Sequence, residues 1–196
     1  MSAMRETLEV TLAVTGALER LGVRYVVGGS LASSLHGFPR ATQDVDIVAD
    51  LSEADVPRFV AALAPEFYLD EDAIRSAVRD RASFNVIHLK TLFKADVFVA
   101  KDDEPTRSEL ARRQRYRLPA DTPGALDLAS PEDVVVQKLH WYRLGDHVSE
   151  RQWADAQSVL TVRGRDLDLA YMRRLGEIME VPELLERALA EAGIAG

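Results

Sequence analysis

The 196-residue chain contains no cysteine, so it has no disulfide, no thiolate nucleophile and no Cys-ligated zinc site. It also lacks any apolar run near the roughly 20 residues that cross a bilayer. Its N-terminal residues lack the charged-then-apolar layout of a secretory signal. From these absences we expect a cytoplasmic protein with no membrane partner.

The net charge of −8 argues against a protein that coats nucleic acid non-specifically. Positive charge is nevertheless concentrated in one segment, which contains Arg107, Arg112, Arg113, Arg115 and Arg117. Two interpretations of this arginine run stay open in the sequence. It is either a solvated helix face or an edge that binds the phosphates of a substrate.

Hydrophobic patterning divides the chain into two parts. The spacing of apolar residues predicts helices at about 6–21, 30–36 and 55–63, and β-branched or alternating runs predict strands at 24–27, 44–48, 84–89 and 93–99. A mixed α/β (α+β) sheet flanked by helices is therefore expected over 1–105. A connecting segment at 106–129 precedes a C-terminal helical region at 130–196.

The helical region begins with a helix-start signal. Ser130 is expected to cap the first helix, and Pro131 occupies the first helical position. Glu132 and Asp133 suit the positive end of the helix dipole. Three helices are predicted here, at about 131–144, 149–160 and 168–192.

Paired aspartates mark the most informative strand. Asp44 and Asp46 are two residues apart, so both side chains point to one face of the strand, with Cα atoms roughly 6.6 Å apart. Carboxylates at this spacing suit Mg²⁺, which prefers oxygen ligands and keeps substrate phosphates in its shell. Asp96 lies in another apolar run and either joins this pair on a neighbouring strand or faces solvent on a one-sided sheet.

Gly28-Gly29-Ser30 follows one predicted strand and opens a helix, with Ser30 as a candidate N-cap. Glycines permit close approach of the backbone, and free amides at a helix start attract phosphate. The tripeptide alone is weak evidence for a binding site. Its significance comes from the Asp44–Asp46 pair, because a strand–turn–helix–strand order brings a phosphate cradle beside the metal ligands.

Three motifs together resemble the nucleotidyltransferase superfamily, which includes DNA polymerase beta and the kanamycin-type antibiotic nucleotidyltransferases: Gly28-Gly29-Ser30, Asp44-Val45-Asp46-Ile47 and Ala95-Asp96-Val97. The string Arg40-Ala41-Thr42-Gln43-Asp44-Val45-Asp46 is most similar to the AbiEii/AbiGii toxin-type branch. The motifs cover about residues 20–100. A weaker similarity extends to Pro131-Glu132-Asp133 with Lys138, and to Arg151 with Asp155.

The resemblance implies a role for each motif residue. Asp44, Asp46 and Asp96 would hold Mg²⁺, as two ions with Mn²⁺ as an alternative, and Asp96 would also be the base for an incoming hydroxyl. An NTP would contact the remaining motif residues, namely Gly28, Gly29, Ser30, Arg40, Thr42 and Lys138. Simpler interpretations stay open for some of them. Lys138 would then be a helix residue with a buried stem, and Arg151 and Asp155 a helix-surface pair.

The expected activity is transfer of a nucleoside monophosphate from an NTP to a hydroxyl. RNA, such as tRNA, is the preferred acceptor, in a toxin-like role with a cognate antitoxin protein as partner. One alternative is a catalytically silent domain that binds a nucleotide or a partner protein. Another is an antibiotic-modifying nucleotidyltransferase, in which acidic helices would attract a cationic substrate.

Overall fold

A computed structural model describes residues 3–42, 44–118, 120 and 122–194. The strands are β1 (Tyr25–Val27), β2 (Asp44–Ala49), β3 (Phe67–Tyr68), β4 (Ser83–His88), β5 (Lys94–Val99), β6 (Gln114–Arg117) and β7 (Ala125–Leu128). They form one mixed sheet in the order β3-β4-β5-β2-β1-β7-β6. The expected fold class, a mixed sheet flanked by helices and followed by helices, is confirmed.

The helices lie between the strands and after the last of them. They are α1 (Ala3–Leu21), α2 (Gly29–His36), α3 (Val56–Leu63), α4 (Glu71–Asp80), α5 (Glu104–Arg112), α6 (Pro131–Leu144), α7 (Glu150–Arg163), α8 (Leu169–Ile178) and α9 (Pro182–Glu191). Among the described residues, no helix is both long and apolar enough to cross a membrane.

Internal packing divides the chain into two compact units. The sheet unit comprises 1–28 and 41–128, and the helical unit comprises 29–40 and 129–196. The strands named above belong to the sheet unit, together with α1, α3, α4 and α5. The helical unit combines α2 with α6, α7, α8 and α9.

The core of the sheet unit follows from the two-residue period of its central strands. On β2, Val45, Ile47 and Ala49 are completely buried, whereas the alternate residues are half-buried. β5 repeats this pattern and pairs with β2 in parallel, residue for residue. Because side chains alternate between faces, a shift of one residue in this register would turn every buried side chain outward.

The strands flanking β2 and β5 fix the position of this central pair. β4 and β5 pair antiparallel, and β1 runs antiparallel to β2 on its other side. Burial of large side chains such as Leu18 and Phe59 in this unit contributes about 1.5–3 kcal/mol each.

Within the helical unit, the start of α6 is as predicted. The side chain of Ser130 accepts a hydrogen bond from the Asp133 amide at 3.2 Å, and Pro131 is at the first position. The single helix expected at 168–192 is wrong, because the chain forms α8 and α9 with a break between them. At the break, Glu180 has a left-handed backbone (φ 58°) and Pro182 begins the next helix.

The segment expected to be a plain connection, 106–129, holds regular structure. It contains most of α5 and the paired strands β6 and β7, of which β7 also pairs in parallel with β1. β6 is polar (Gln-Arg-Tyr-Arg) because it lies at the edge of the sheet. Charged side chains on an edge strand discourage pairing with other chains. Because such a strand shows no alternation of apolar residues, the hydrophobic pattern of the sequence does not predict it.

Candidate functional site

Three aspartates occupy one face of the central strand pair. Asp44 and Asp46 alternate with buried residues on β2 and are half-buried. Asp96 on β5 is the direct partner of Asp46 in the parallel register, and neighbouring strands are about 4.8 Å apart. Of the two alternatives that the sequence left open for Asp96, the structure shows the one in which its strand adjoins the strand of the aspartate pair. We call Asp44, Asp46 and Asp96 the carboxylate face.

Lys94 adds a positive charge to the carboxylate face. Its ammonium Nζ lies 2.8 Å from Asp96 Oδ2, and the register places Lys94 opposite Asp44. The hydrogen bond to Asp96 raises the pKa of Lys94, and the charges of Asp44 and Asp46 act in the same direction against the opposing effect of desolvation. The carboxylate face therefore attracts cations. The sequence analysis did not consider Lys94, although its two-residue spacing from Asp96 was a usable signal.

Asp44 is held from the segment that precedes its strand. The hydroxyl of Thr42 lies 3.0 Å from both the main-chain O and the Oδ1 of Asp44. Thr7 on α1 in turn donates its hydroxyl to the Thr42 carbonyl at 3.3 Å. These bonds restrict the rotamer of Asp44. In the structure Thr42 thus orients a carboxylate, and its contact with a nucleotide stays a prediction.

The carboxylate face has the right donors for a hard divalent cation. Within the described residues, no three His, Cys, Asp or Glu side chains form a group that could hold a metal ion. Mg²⁺ does not require such a group, because it is usually bound through one or two carboxylates together with substrate phosphates and water. Asp44 and Asp46 supply two carboxylates on one face. The metal-binding roles of the three aspartates stay predictions.

The Gly28-Gly29-Ser30 turn begins beside the carboxylate strand. Gly28 ends the β1 segment, and its amide donates to the Asp46 carbonyl at 2.9 Å. Gly29 has a left-handed backbone with φ 57°, which a residue with a Cβ atom adopts at a cost. The helix begins at Gly29, so Ser30 lies inside its first turn. The interpretation of Ser30 as the N-cap is wrong.

Four polar side chains of the helical unit form a second group, which we call the salt-bridge cluster: Ser30, Arg40, Lys138 and Asp155. Arg40 donates through Nε and Nη2 to the two oxygens of Asp155, both at 2.7 Å. Lys138 Nζ lies 2.8 Å from Asp155 Oδ2. Arg40 and Lys138 also reach the Ser30 hydroxyl oxygen, at 2.6 and 3.4 Å. One carboxylate therefore organises two cations.

Burial makes Asp155 the centre of this cluster. Only 4% of Asp155 and 5% of Lys138 is exposed. Burial alone would raise the pKa of Asp155, but hydrogen bonds and charges from Arg40 and Lys138 outweigh it and lower that pKa. Asp155 was expected either as a family motif residue or as the partner of Arg151. The structure instead pairs it with Arg40, which is 115 residues away in the chain.

Three of the five arginines of the run form ion pairs with acidic neighbours. Arg107 pairs with Asp102, Arg113 with Asp127, and Arg115 with both Glu19 and Asp127. Hydrogen bonds to Glu19 and Asp127 raise the pKa of Arg115, against a smaller effect of burial. These ion pairs favour a structural role for the arginine run over the binding of substrate phosphates.

Comparisons with known proteins find likeness in structure and none in sequence. No family model and no curated protein matches the chain. The fold is similar to that of an antigenic nucleotidyltransferase-like protein from Paracoccidioides brasiliensis (TM-score 0.53, 16% identity, 94% of this chain and 93% of that one). It is also similar to ANT(2″)-Ia in complex with adenylyl-2″-tobramycin (TM-score 0.54, 13% identity, 88% and 96%). The chain thus has a nucleotidyltransferase-like fold.

Proposed function

We propose that this protein transfers a nucleoside monophosphate from an NTP to a hydroxyl acceptor. The observation that carries the proposal is the carboxylate face: three aspartates on one side of two parallel, in-register strands, next to the Gly28 turn. The nucleotidyltransferase-like fold supports the same reaction class. Half-buried clustered carboxylates are costly unless they bind something, and a phosphate-transfer site gives them a use.

The proposed step is an in-line displacement at the α-phosphorus of the NTP. The acceptor oxygen forms a bond to the α-phosphorus, and the bond from that phosphorus to the oxygen that bridges to the β-phosphate breaks. Pyrophosphate leaves with the electron pair. The hydroxyl proton passes to a carboxylate, for which Asp96 is the candidate because it lies on the same face as the proposed metal ligands.

Mg²⁺, when bound, would supply Lewis-acid stabilisation of the charge on the phosphate oxygens. Asp44 and Asp46 would hold it, and Asp96 would be the third carboxylate. The protein's own contribution is orientation. Thr42 restrains Asp44, and Lys94 balances the charge of Asp96 in the free protein.

Ser30, Arg40 and Lys138 of the salt-bridge cluster stay predicted contacts of the triphosphate, as do Gly28 and Gly29. Arg40 and Lys138 carry two positive charges against the single negative charge of Asp155, so the cluster retains one positive charge. The Ser30 hydroxyl already bonds to both cations. An anionic phosphate that met this hydroxyl would therefore also meet a preorganised cation pair.

The proposal also concerns the identity of the acceptor, for which RNA and a small molecule are the two candidates. The resemblance to the AbiEii/AbiGii toxin-type branch favours RNA and an antitoxin partner, and both stay predictions. The ion pairs of the arginine run weaken the case for RNA. The likeness to ANT(2″)-Ia, which was crystallised with an adenylylated aminoglycoside, supports a small-molecule acceptor as the second candidate.

The experiment incubates the protein with Mg²⁺ and each of four labelled NTPs. Acceptors are offered in parallel as total tRNA, total protein and an aminoglycoside. The wild type is expected to transfer label to one of them, and Asp44→Asn to transfer none. The matched control is Asp50→Asn, which removes the same charge just beyond the other end of the strand, where Asp50 pairs with Arg24 on the surface. Nucleotide binding without transfer by the wild type would instead establish a silent binding domain.

A further inference from the structure

Lys94 gives the carboxylate face a cation that belongs to the chain itself. Its ammonium Nζ lies 2.8 Å from Asp96 Oδ2, and the parallel register places it opposite Asp44. The side chains of Lys94 and Asp96 are 41% and 18% exposed. An ion pair with this much exposure adds little to the free energy of unfolding. The stability of the fold therefore does not explain why a lysine lies among these carboxylates.

The charge of the carboxylate face matches one divalent ion better than two. The three aspartates carry three negative charges and Lys94 carries one positive charge, so the net charge of the four side chains is −2. A single Mg²⁺ cancels this charge. A second Mg²⁺ would leave two positive charges in excess before the phosphates of a substrate bind, and each cation would repel the other and the ammonium.

The ammonium also occupies the oxygen that a second ion would use. In two-metal sites the ions lie about 4 Å apart, so a second ion on Asp96 would have to displace Lys94 from Oδ2. The described part of the chain contains no group of three His, Cys, Asp or Glu side chains that could hold a metal ion. That finding is expected of a face that binds an ion through two carboxylates and completes the shell with substrate phosphates and water.

We propose that the carboxylate face binds a single Mg²⁺ through Asp44 and Asp46, and that the ammonium of Lys94 replaces the second ion. The inference rests on the proposed function and differs from the two ions that the family resemblance implies. An ammonium has three N–H donors. One of them serves Asp96, and the others donate to oxygens of the α-phosphate and stabilise the charge that develops there. Lys94 keeps its protons and forms no covalent bond, so the balance of the transfer step is unchanged.

The first test counts metal ions without turnover. Mn²⁺ is titrated into the intact protein in the presence of the α,β-methylene analogues of ATP, CTP, GTP and UTP in turn, which cannot release pyrophosphate, and electron paramagnetic resonance detects the bound ions. The wild type is expected to show one uncoupled Mn²⁺ per chain. Lys94→Met is expected to show two spin-coupled ions, because two ions in one site lie about 4 Å apart. Two coupled ions or no bound ion in the wild type, or a variant without a coupled pair, would overturn the inference.

The second test follows transfer as the Mg²⁺ concentration rises. Loss of the ammonium in Lys94→Met is expected to lower the transfer rate about a hundredfold at low Mg²⁺. High Mg²⁺ should restore most of the rate, because a second ion then binds at Asp96. Lys94→Arg keeps the positive charge and should retain most of the activity without added Mg²⁺. Lys101→Met is the matched control, because Lys101 is exposed just beyond the other end of β5, and it should change neither the ion count nor the rate.

The outcomes separate this inference from the proposed function. Two coupled ions in a wild type that transfers label would sustain nucleotidyl transfer and overturn the role of Lys94. Loss of transfer in Lys94→Met that high Mg²⁺ does not restore would also overturn that role. One ion in the wild type and a coupled pair in Lys94→Met, with no transfer from any NTP to any acceptor, would support the single-ion face and contradict the reaction.

Discussion

The carboxylate face and the salt-bridge cluster both bring charged side chains together, but they differ in burial and in how far the negative charge is paired with cations. The three aspartates are half-buried, and Lys94 forms an ion pair with Asp96 among them. In the salt-bridge cluster, Asp155 is almost fully buried and bonded to two cations. Removal of a charge from the first region should therefore change binding with little effect on stability, whereas removal from the second should lower the stability of the fold.

The largest expected effect is on catalysis, from Asp46→Asn. The variant is expected to lose several kcal/mol of stabilisation of the transition state by the metal. Since 1.36 kcal/mol corresponds to about a tenfold change in rate, the transfer rate should fall by about three orders of magnitude. The free energy of unfolding should stay constant or rise, because one of several like charges is removed. Rates from label transfer and urea unfolding curves measure the two quantities. A transfer rate within tenfold of the wild-type rate would show that Asp46 is not part of the active site.

The next effect is on stability, from Asp155→Asn. Breaking a buried ion pair leaves Lys138 uncompensated and is expected to lower the free energy of unfolding by about 3–5 kcal/mol. Denaturant unfolding measures it. As a control, Glu186→Gln breaks the exposed pair with Arg173 and should leave unfolding unchanged. An Asp155 variant as stable as the wild type would contradict the contrast between the two regions.

Low pH should reveal how much the salt-bridge cluster contributes to the stability of the protein. The pKa of Asp155 is lowered in the folded protein, so its contribution to stability is complete above its ordinary pKa of about 3.9. That contribution is lost as the pH falls through the folded-state pKa. Below about pH 4, wild-type stability is therefore expected to fall more steeply than that of Asp155→Asn. Parallel curves for the two proteins would show that another group governs acid unfolding.

A smaller effect on activity is expected from a change at Thr42, which orients Asp44 within the sheet unit. Thr42→Val removes the hydroxyl that orients Asp44, and loss of such a supporting bond costs about tenfold to a hundredfold in metal affinity or activity. Activity titrated with Mg²⁺ measures the change, and Thr42→Ser should restore most of it. Failure of the serine variant to recover would indicate that Thr42 acts through packing.

The smallest expected effect is at the turn that follows Gly28. Gly29→Ala places a Cβ on a left-handed residue and costs about 1–2 kcal/mol. Gly22→Ala is the matched control, because Gly22 has φ 72° and open space around it. Thermal unfolding should shift equally in both variants, whereas transfer should fall only in Gly29→Ala. Equal activities would separate the turn from the phosphate site.

Local patterns predicted part of the carboxylate face. The two-residue spacing of Asp44 and Asp46 placed both side chains on one face of their strand, whereas the position of Asp96 stayed open between two alternatives. The pairing of β5 with β2 depends on contacts far apart in the chain, which periodicity does not specify. Lys94 was missed although its two-residue spacing from Asp96 indicated a shared face; only its position opposite Asp44 depends on the assembled register.

The salt-bridge cluster was harder to predict because its partners are distant in sequence. Arg151 and Asp155 have the spacing of a helix-surface pair, and nothing local indicates that Asp155 instead binds Arg40. β6 was missed because an edge strand of Gln-Arg-Tyr-Arg shows no apolar alternation. The break between α8 and α9 falls at Glu180, which adopts a left-handed backbone without being glycine.

The assignment of α2 to the helical unit bears on how the gene can be divided. α2 lies between two segments of the sheet unit in sequence, yet the Phe38 amide just after it donates to Ser158 on α7 at 2.6 Å. No single uninterrupted piece of the coding sequence therefore encodes the whole helical unit and nothing else. A fragment that starts at residue 129 would lack the helix on which α6 and α7 pack, so a division into independent pieces requires a circularly permuted or fused gene.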